Sequence, residues 1–478
     1  MVGIVAYGGY IPWSRLERRS IKEAQGEPGL PGAKAVANYD EDTLTMAVAA
    51  ALDCASGLGP ARFDGVYFAS TTSPFGEKLV APTLAGVLDM PSGCRTLDIL
   101  GSLRVGSSAL LAALDAARQG KQMLVAVSDS RMGRVGGLNE LLFGDGAAAF
   151  LLGDQNVIAE ILDYESMSVD FYDNWRLAES RFVDTWEERF WYSQGYGRFP
   201  LEVGKKAMQK TGLKAEDFAK VVIYGMKAKD HLSLAAKAGF SPEQVADNLI
   251  DTIGNTGSAC GPLALIRVLE TAKPGDKVLW ITYGDGSDAI VLQVTEAIHD
   301  LPPRRGVGGY LQGPVHPITY GKYLRWRNLL PWEAPRRPPL VRPSIPDRTR
   351  NLGKILALRG SRCRVCKTPH FPSQRVCVHC QAIDQMEEYS FKGRGARLVT
   401  YTLDGLAFSP DPPVALTVID FEGGGRLVCQ ATDYEADELS IGLELDMTFR
   451  RLFAAEGLPV YFWKTIPKRR SRNLTSGV

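Results

Sequence analysis

Two stretches of this 478-residue chain repeat the same order of signals, and that repetition narrows the fold more than any other feature. The first runs FDGVYFAST and then TLDILGSLRVGSSALLAALDAARQGKQMLVAVSDS, ending at Ser130. The second runs FAKVVIYGM and then LIDTIGNTGSACGPLALIRVLETAKPGDKVLWITYGDG, ending at Gly286. Each reads as a short buried strand, a spacer, a strand ending near glycine, a long Ala/Leu helix, a glycine turn and a β-branched strand ending in small polar residues. Strand, helix and strand in that rhythm form parallel βαβ units. Continuous apolar strands need helices on both faces of a sheet, so the helices after Gly101 and Gly254 are expected together at the centre of a layered, pseudo-twofold α/β sandwich. Neither copy carries a G-x-G-x-x-G that follows a strand and opens a helix, which sets dinucleotide binding aside.

Apolar residues make up 45% of the chain, enough for a large core, and the net charge of +1 offers no general attraction for nucleic acid or acidic membranes. No apolar run reaches the length of a membrane span, and MVGIVAYGGYIPWSRLERRS lacks the parts of a signal peptide. A cytoplasmic protein with no membrane and no nucleic-acid partner is expected. Cys54, Cys94, Cys260 and Cys429 are scattered and expected to be reduced, whereas Cys363, Cys366, Cys377 and Cys380 cluster.

LFGDGAAAFLLG (Leu142 to Gly153), TIGNTGSACGPLAL (Thr252 to Leu265) and YGDGSDAI (Tyr283 to Ile290) resemble the thiolase superfamily, closest to its 3-hydroxy-3-methylglutaryl-CoA synthase branch, over about residues 1 to 300. The resemblance implies a duplicated five-layer α-β-α-β-α sandwich, a CoA thioester as substrate and a homodimer. It also implies a Glu-Cys-His machine, in which a thiolate at a helix start takes the acyl group. Carried across residue by residue, the cysteine position falls on Leu103, the glutamate on Thr71 and the histidine on Gly225. Ser102 sits one residue early, and His231 six residues late. Asn255 stays where the family has an amide donor near the thioester oxygen, and Asp285 takes a place usually held by serine.

Other groups are therefore candidates for the chemistry. A carboxylate among glycines at a strand end, Asp285, can reach a cleft and have its pKa raised by apolar surroundings, against the alternative of an Asx turn capping Ser287. Tyr283 is a candidate hydroxyl donor or a core tyrosine. Cys260, near the pseudo-symmetric counterpart of Leu103, is a candidate relocated nucleophile or a small packing residue, and a Ser102–His231 pair is a further possibility. In RFVDTWEERFWYSQGYGRF, Trp186, Trp191, Tyr192 and Tyr196 stand where the related synthases cap the acyl site. Trp186, Tyr192 and Tyr196 are expected to floor an apolar acyl pocket. Asp145 is read as turn support.

After Ile298 the composition turns to Pro and Arg in HDLPPRRGVGGY and EAPRRPPLVRPSIPDRTR, which predicts a linker over 301–355 interrupted by a docking helix in ITYGKYLRWRNLLPW. A C-x2-C, ten residues and a second C-x2-C follow. Four thiolates at that spacing form a closed tetrahedral site, a structural zinc ribbon over 356–388, with His370 and His379 outside the ligand set. Short β-rich runs with Gly and Pro turns over 389–470 predict a small closed barrel, and 471–478 a tail. Ribbon and barrel together resemble the DUF35 family, an OB-fold with a zinc ribbon that accompanies thiolase-like enzymes.

The combined expectation is a CoA-thioester-dependent carbon–carbon bond enzyme without a covalent acyl-cysteine, a retro-aldolase acting on a β-hydroxyacyl-CoA with Asp285 or Tyr283 as base and Asn255 at the enolate. Two alternatives stand beside it: a condensing enzyme or acyltransferase using Cys260 or Ser102, and a non-catalytic acyl-CoA-binding subunit.

Overall fold

The computed structural model describes residues 1–58, 63–331, 333, 341–407 and 409–469. It divides into two compact units. One comprises Met1–Ala37, Asp42–Ala85 and Pro91–Tyr320; the other comprises Asn38–Glu41, Gly86–Met90 and Gly321–Val478. No helix among the described residues is long and apolar enough to cross a membrane.

In the first unit the repeat is visible strand by strand. The first half contributes β1 (Gly3–Tyr10), β2 (Gly65–Ser70), β3 (Arg95–Leu100), β4 (Met123–Ser130) and β5 (Asp145–Gly153), in the order β3-β2-β4-β5-β1. The second contributes β6 (Ala159–Ser168), β7 (Lys220–Ile223), β8 (Lys277–Ile281) and β9 (Gly286–Val294), in the mirrored order β6-β9-β8-β7. The counterpart of β3 is reduced to a single parallel bridge from Val221 to Val245. The halves are joined where β1 meets β6, at Gly3–Glu160 and Ile4–Ala159. β2 runs parallel to β3 and β4, and β7 runs parallel to β8, as βαβ crossovers require.

The two central helices, α1 (Val105–Ala117) and, further along the chain, Cys260–Leu269, lie against each other as expected. α1 is rich in Ala and Leu, strong helix formers, and buries Ala109, Leu110, Ala113 and Leu114. Full burial of each leucine contributes roughly 1.5–3 kcal/mol. Gly106 sets the helix spacing: a Cβ there would lie 3.1 Å from the Ser258 carbonyl oxygen and 3.3 Å from Pro262 Cγ.

Between the halves, the aromatic insert forms paired two-residue strands, Asn174–Trp175 with Asp184–Thr185, rather than a helical hairpin. A helical turn, Glu188–Trp191, then passes through a π-turn, Tyr192–Tyr196, into α2 (Phe199–Thr211). Residues 301–320, predicted as the start of a linker, belong to this first unit. His316–Pro317 pairs with the strand Ser14–Glu17, and the Gly308 N–H donates to both Glu270 oxygens at 3.0 Å.

In the second unit, 334–340 of the Pro/Arg run lie outside the described residues, the predicted linker forms short helices at Ile345–Arg350 and Leu352–Ala357, and the predicted docking helix is limited to Tyr320–Trp326. A three-stranded ribbon sheet pairs β10 (Arg359–Cys363) with β11 (Pro369–His370) and β12 (Met386–Ser390). The barrel strands β13 (Ala396–Asp404), β14 (Val414–Phe421), β15 (Arg426–Gln430), β16 (Glu444–Ala455) and β17 (Leu458–Pro467) follow the order β15-β14-β13-β16-β17. An Ala431–Thr465 bridge links the two ends of that sheet. Below its core, Arg450 and Lys464 are buried with Asp40, Glu41 and Asp433; Arg450 pairs with Asp433 at 2.6 Å and Lys464 with Asp40 at 2.9 Å. Each of these buried cations has its carboxylate, which is the condition for such charges to be tolerated. The predicted tail lies outside the described residues.

Candidate functional site

The ends of β2 and β4 and the start of the second central helix converge on one buried carboxylate, Asp129. Its Oδ1 accepts from the Ser70 hydroxyl at 3.0 Å, the Thr71 N–H at 2.7 Å and the Thr72 hydroxyl at 3.1 Å, and its Oδ2 accepts from the Ser258 N–H at 2.7 Å. An anion at a helix start satisfies N–H groups that lack helical partners. Asp129 thereby joins the loop after β2 to the helix of the other half.

The turn before α1 is held from the opposite side. Arg104 Nη1 donates to Asp288 Oδ1 at 2.9 Å, and the Ser107 hydroxyl donates to Asp288 Oδ2 at 2.6 Å. This presses Leu103 onto the loop after β8. Gly284, at φ +147°, is the residue that accommodates it: a Cβ there would lie 2.9 Å from Leu103 Cβ and 3.0 Å from the Leu103 and Arg104 nitrogens. The histidine position is equally closed, because a Cβ on Gly225 would lie 2.5 Å from Asn248 Nδ2. Thr71, at the glutamate position, has a buried hydroxyl with no partner among the described residues.

Tyr283 is 1% exposed, and its ring packs edge-on against Tyr196 with centroids 5.3 Å apart. Its hydroxyl faces Asp173 without closing a hydrogen bond of ordinary geometry, so the hydroxyl and Asp173 Oδ2 are both buried without partners among the described residues. Burial raises the Asp173 carboxyl above the usual range, opposed by the nearby Tyr283 hydroxyl and by the Asn174 N–H, which donates to Oδ1. Burial, then the Asp173 charge, raises the Tyr283 phenol as well. The apolar setting expected around Asp285 is therefore found around Asp173. Asp285 is exposed at φ +46°, with its carbonyl accepting from the Val169 N–H, and serves as a turn residue. Asp173 was missed because a single aspartate in VDFYDNW carries no motif; its flanking aromatics were the available signal.

Asn255 Nδ2 donates to the Tyr224 hydroxyl at 3.0 Å, the Gly225 carbonyl at 3.2 Å and the Met226 carbonyl at 3.3 Å, and its Oδ1 accepts from the Gly257 N–H. Its amide is committed to holding the loop after β7. Asn255 also lines a cavity of about 340 Å³ with Phe143, Met226, Trp186 and Trp191. Of the predicted pocket aromatics, Trp186 is there, 57% exposed. Tyr196 is fully buried, donating to the Tyr224 carbonyl at 2.7 Å, and Tyr192 packs against it. Trp191 lines the cavity and packs edge-on against Tyr196, which connects the cavity wall to Tyr283.

Cys260 and Ser102, the candidate relocated nucleophiles, sit in different surroundings. Burial pushes the Cys260 thiol up to about 12, which leaves it protonated at neutral pH, and it points at the Asn248 carbonyl. Ser102 Oγ has no hydrogen-bond partner among the described residues, and His231 Nδ1 is engaged by Asn248 Nδ2 at 2.9 Å. Asp145 accepts from the Ala37 N–H at 2.6 Å, in keeping with turn support.

In the second unit, Cys363, Cys366, Cys377 and Cys380 place their sulfurs within 4.8 Å of one another, a cluster able to hold a metal ion. His370 is buried and His379 exposed.

Fold and site together define a thiolase-like chain. Residues 208–294 match the family described as 3-Oxoacyl-[acyl-carrier-protein (ACP)] synthase III C terminal, and residues 391–450 match ChsH2, C-terminal OB-fold domain. The chain is 32% identical over 347 residues to the hydroxymethylglutaryl-CoA synthase of Caldivirga maquilingensis, covering 69% of this chain and 98% of that protein. It is 30% identical to the one from Methanocaldococcus jannaschii, covering 68% and 99%. A solved HMG-CoA synthase complexed with CoA superposes with TM-score 0.61 at 19% identity, covering 68% of this chain and 89% of that one. The chain belongs to the hydroxymethylglutaryl-CoA synthase family, fused to a C-terminal OB-fold domain.

A buried carboxyl whose pKa is raised on folding contributes stability below its unfolded pKa and loses it as pH rises through the folded value. Asp173→Asn is therefore expected to melt above the wild type at pH 8, with the gap closing toward about pH 4, the ordinary carboxyl range. Thermal melts of both proteins across that range check this; a gap independent of pH counts against the assignment.

Proposed function

We propose that the chain is a CoA-thioester-dependent carbon–carbon bond enzyme that cleaves a β-hydroxyacyl-CoA by a retro-aldol reaction. The observation that carries this reading is the closure of the cysteine and histidine positions by Leu103 and Gly225, while a buried phenol and carboxyl, Tyr283 and Asp173, face each other beside the same turn. Acyl transfer needs a nucleophile, whereas retro-aldol cleavage needs only a base for the β-hydroxyl and a place for the enolate. The CoA complex among the similar structures and the family relatives support a CoA thioester as substrate.

With its phenol raised, Tyr283 does not hold a negative charge near neutral pH; it relays. The substrate hydroxyl gives its proton to the Tyr283 oxygen as Tyr283 passes its own to the Asp173 carboxylate. The Cα–Cβ bond then breaks, its electron pair enters the thioester as an enolate, and a carbonyl compound leaves. The proton on Asp173 returns through Tyr283 to the α-carbon, which yields the shortened acyl-CoA. Asn255 fixes the 224–226 loop that borders the cavity. Run in reverse, the same groups add an acyl-CoA enolate to a ketone, and the family relationship favours this direction as the second reading.

The four cysteines fit zinc, which when bound would cross-link the two knuckles of the ribbon and supply no chemistry at Tyr283. β3 is an edge strand of the sheet, exposing Leu97 and Leu100, and supports self-association through that edge.

Three outcomes are expected. Incubation with a β-hydroxyacyl-CoA releases a trappable aldehyde or ketone, Tyr283→Phe lowers kcat by about 10²–10⁴ with little change in ester affinity, and Asp285→Asn stays near wild type. An acyl adduct on Ser102 or Cys260 by mass spectrometry, or an unaffected Tyr283→Phe, would count against the proposal, and tight ester binding with no turnover would indicate a binding subunit. Elemental analysis finds about one zinc per chain, lost in Cys363→Ser/Cys377→Ser. Light scattering gives a dimer mass that Leu97→Glu/Leu100→Glu halves.

A further inference from the structure

Two side chains that line the cavity of about 340 Å³ in the first unit, Trp191 and Asn174, each keep an N–H without a partner. Trp191 is 3% exposed, and its indole Nε1 is buried with no hydrogen-bond partner among the described residues. The rings of Tyr192 and Tyr196 pack on the indole, with centroids 6.1 and 6.4 Å away, which leaves the cavity as the side from which an acceptor can come. Asn174 Nδ2 is buried and unpartnered in the same sense. Its amide is held in one orientation. Asn139 Nδ2 donates to the Thr185 hydroxyl at 3.1 Å, and that hydroxyl donates to Asn174 Oδ1 at 3.1 Å. A hydroxyl that accepts on one side and donates on the other draws the oxygen end of the amide toward itself and leaves the nitrogen end free. Asn139 and Thr185 line the same cavity. The Asn174 N–H donates to Asp173 Oδ1 at 2.5 Å, so this amide stands one residue from the carboxyl that faces Tyr283.

We propose that Trp191 Nε1 and Asn174 Nδ2 form a subsite for a neutral oxygen, a ketone or hydroxyl carried by the acyl group beyond its β-carbon, and so select acyl-CoA esters that bear this second oxygen. A buried donor left unpaired costs free energy that a ligand acceptor recovers, and a site built on such donors rejects an analogue lacking the acceptor. The charges around the cavity select a neutral group. Its cations are Arg134 and Lys227 and its anions Asp184 and Glu188, paired as Arg134–Asp184 at 3.0 Å and Lys227–Glu188 at 2.5 Å. A carboxylate would be desolvated there with both cations already taken. An ammonium would meet N–H groups in place of acceptors. A ketone oxygen brings two lone pairs and no charge. The inference deepens the acyl-CoA reading and rests on it, but does not depend on the reaction being a cleavage.

The test compares three esters by calorimetry with the full chain: hexanoyl-CoA; 5-oxohexanoyl-CoA, which adds one ketone oxygen; and glutaryl-CoA, which puts a carboxylate oxygen in place of that ketone's methyl. Wild type is expected to bind 5-oxohexanoyl-CoA about tenfold more tightly than hexanoyl-CoA, as two neutral hydrogen bonds allow, and glutaryl-CoA no more tightly than hexanoyl-CoA. Trp191→Phe keeps an aromatic ring and removes the N–H. Asn174→Asp keeps the oxygen that Thr185 binds and removes the amide N–H. Each is expected to lower the ratio of 5-oxohexanoyl-CoA to hexanoyl-CoA affinity by roughly threefold or more. Because a ratio is read, a general loosening of the cavity weakens both esters and cancels. A wild-type ratio near one, a preference for glutaryl-CoA, or a ratio unchanged in either variant overturns the subsite alone. Binding of none of the three esters overturns the acyl-CoA reading and the subsite with it.

Discussion

The first unit depends on the Asp129 carboxylate. A twofold pseudo-repeat brings two strand–turn–helix junctions face to face, and each leaves backbone N–H groups without partners at its turn. Asp129 takes donors from both sides, the loop at Thr71 and Thr72 in one half and the helix start at Ser258 in the other. Buried with its acceptor sites filled, it fixes the distance between the halves, and hence the width of the space that Leu103, Tyr283 and Asn255 border. Arg104 and Asp288 perform the matching function on the other side of α1. The scaffold of an acyl-transfer site is thus retained by interactions that do not involve the acyl-transfer residues.

Around that scaffold the polar groups are unusually unsatisfied. Thr71, Ser102, Asp173 and Tyr283 each bury an oxygen without a partner among the described residues, and Arg131 buries a nitrogen. Folded interiors pair nearly all such groups, since an unpaired one costs about 1–3 kcal/mol. All five follow strands of the first unit. The buried charges of the second unit, Arg450 and Lys464 with Asp40, Glu41 and Asp433, follow the opposite rule and are matched within the protein.

Much of this was legible in the chain because the repeat is periodic. The parallel βαβ units, the adjacency of the central helices and the cysteine knuckles follow from apolar runs, glycines and fixed spacings. Which polar groups are buried was not legible. Asp173 and Asp285 are both aspartates in loops, and only tertiary burial separates them: one lies under Phe171 and the π-turn, the other on an exposed turn. Arg131 looks like an ordinary cation after a strand, and its lack of a partner is a property of the assembled sheet. Gly195, against which the Tyr283 hydroxyl rests, permits the π-turn that brings Tyr196 inward, and nothing in the insert's composition marks that turn.

The contact between Leu103 and Gly284 has a kinetic meaning. A cysteine at that turn allows one substrate to react and depart before the second arrives, with the enzyme storing the acyl group in between. Leucine stores nothing. For the proposed cleavage, both fragments must occupy the cleft at the same moment, so the order of arrival and release becomes a matter of shared space, with no covalent halfway point at which the first product has left and the second partner is still awaited.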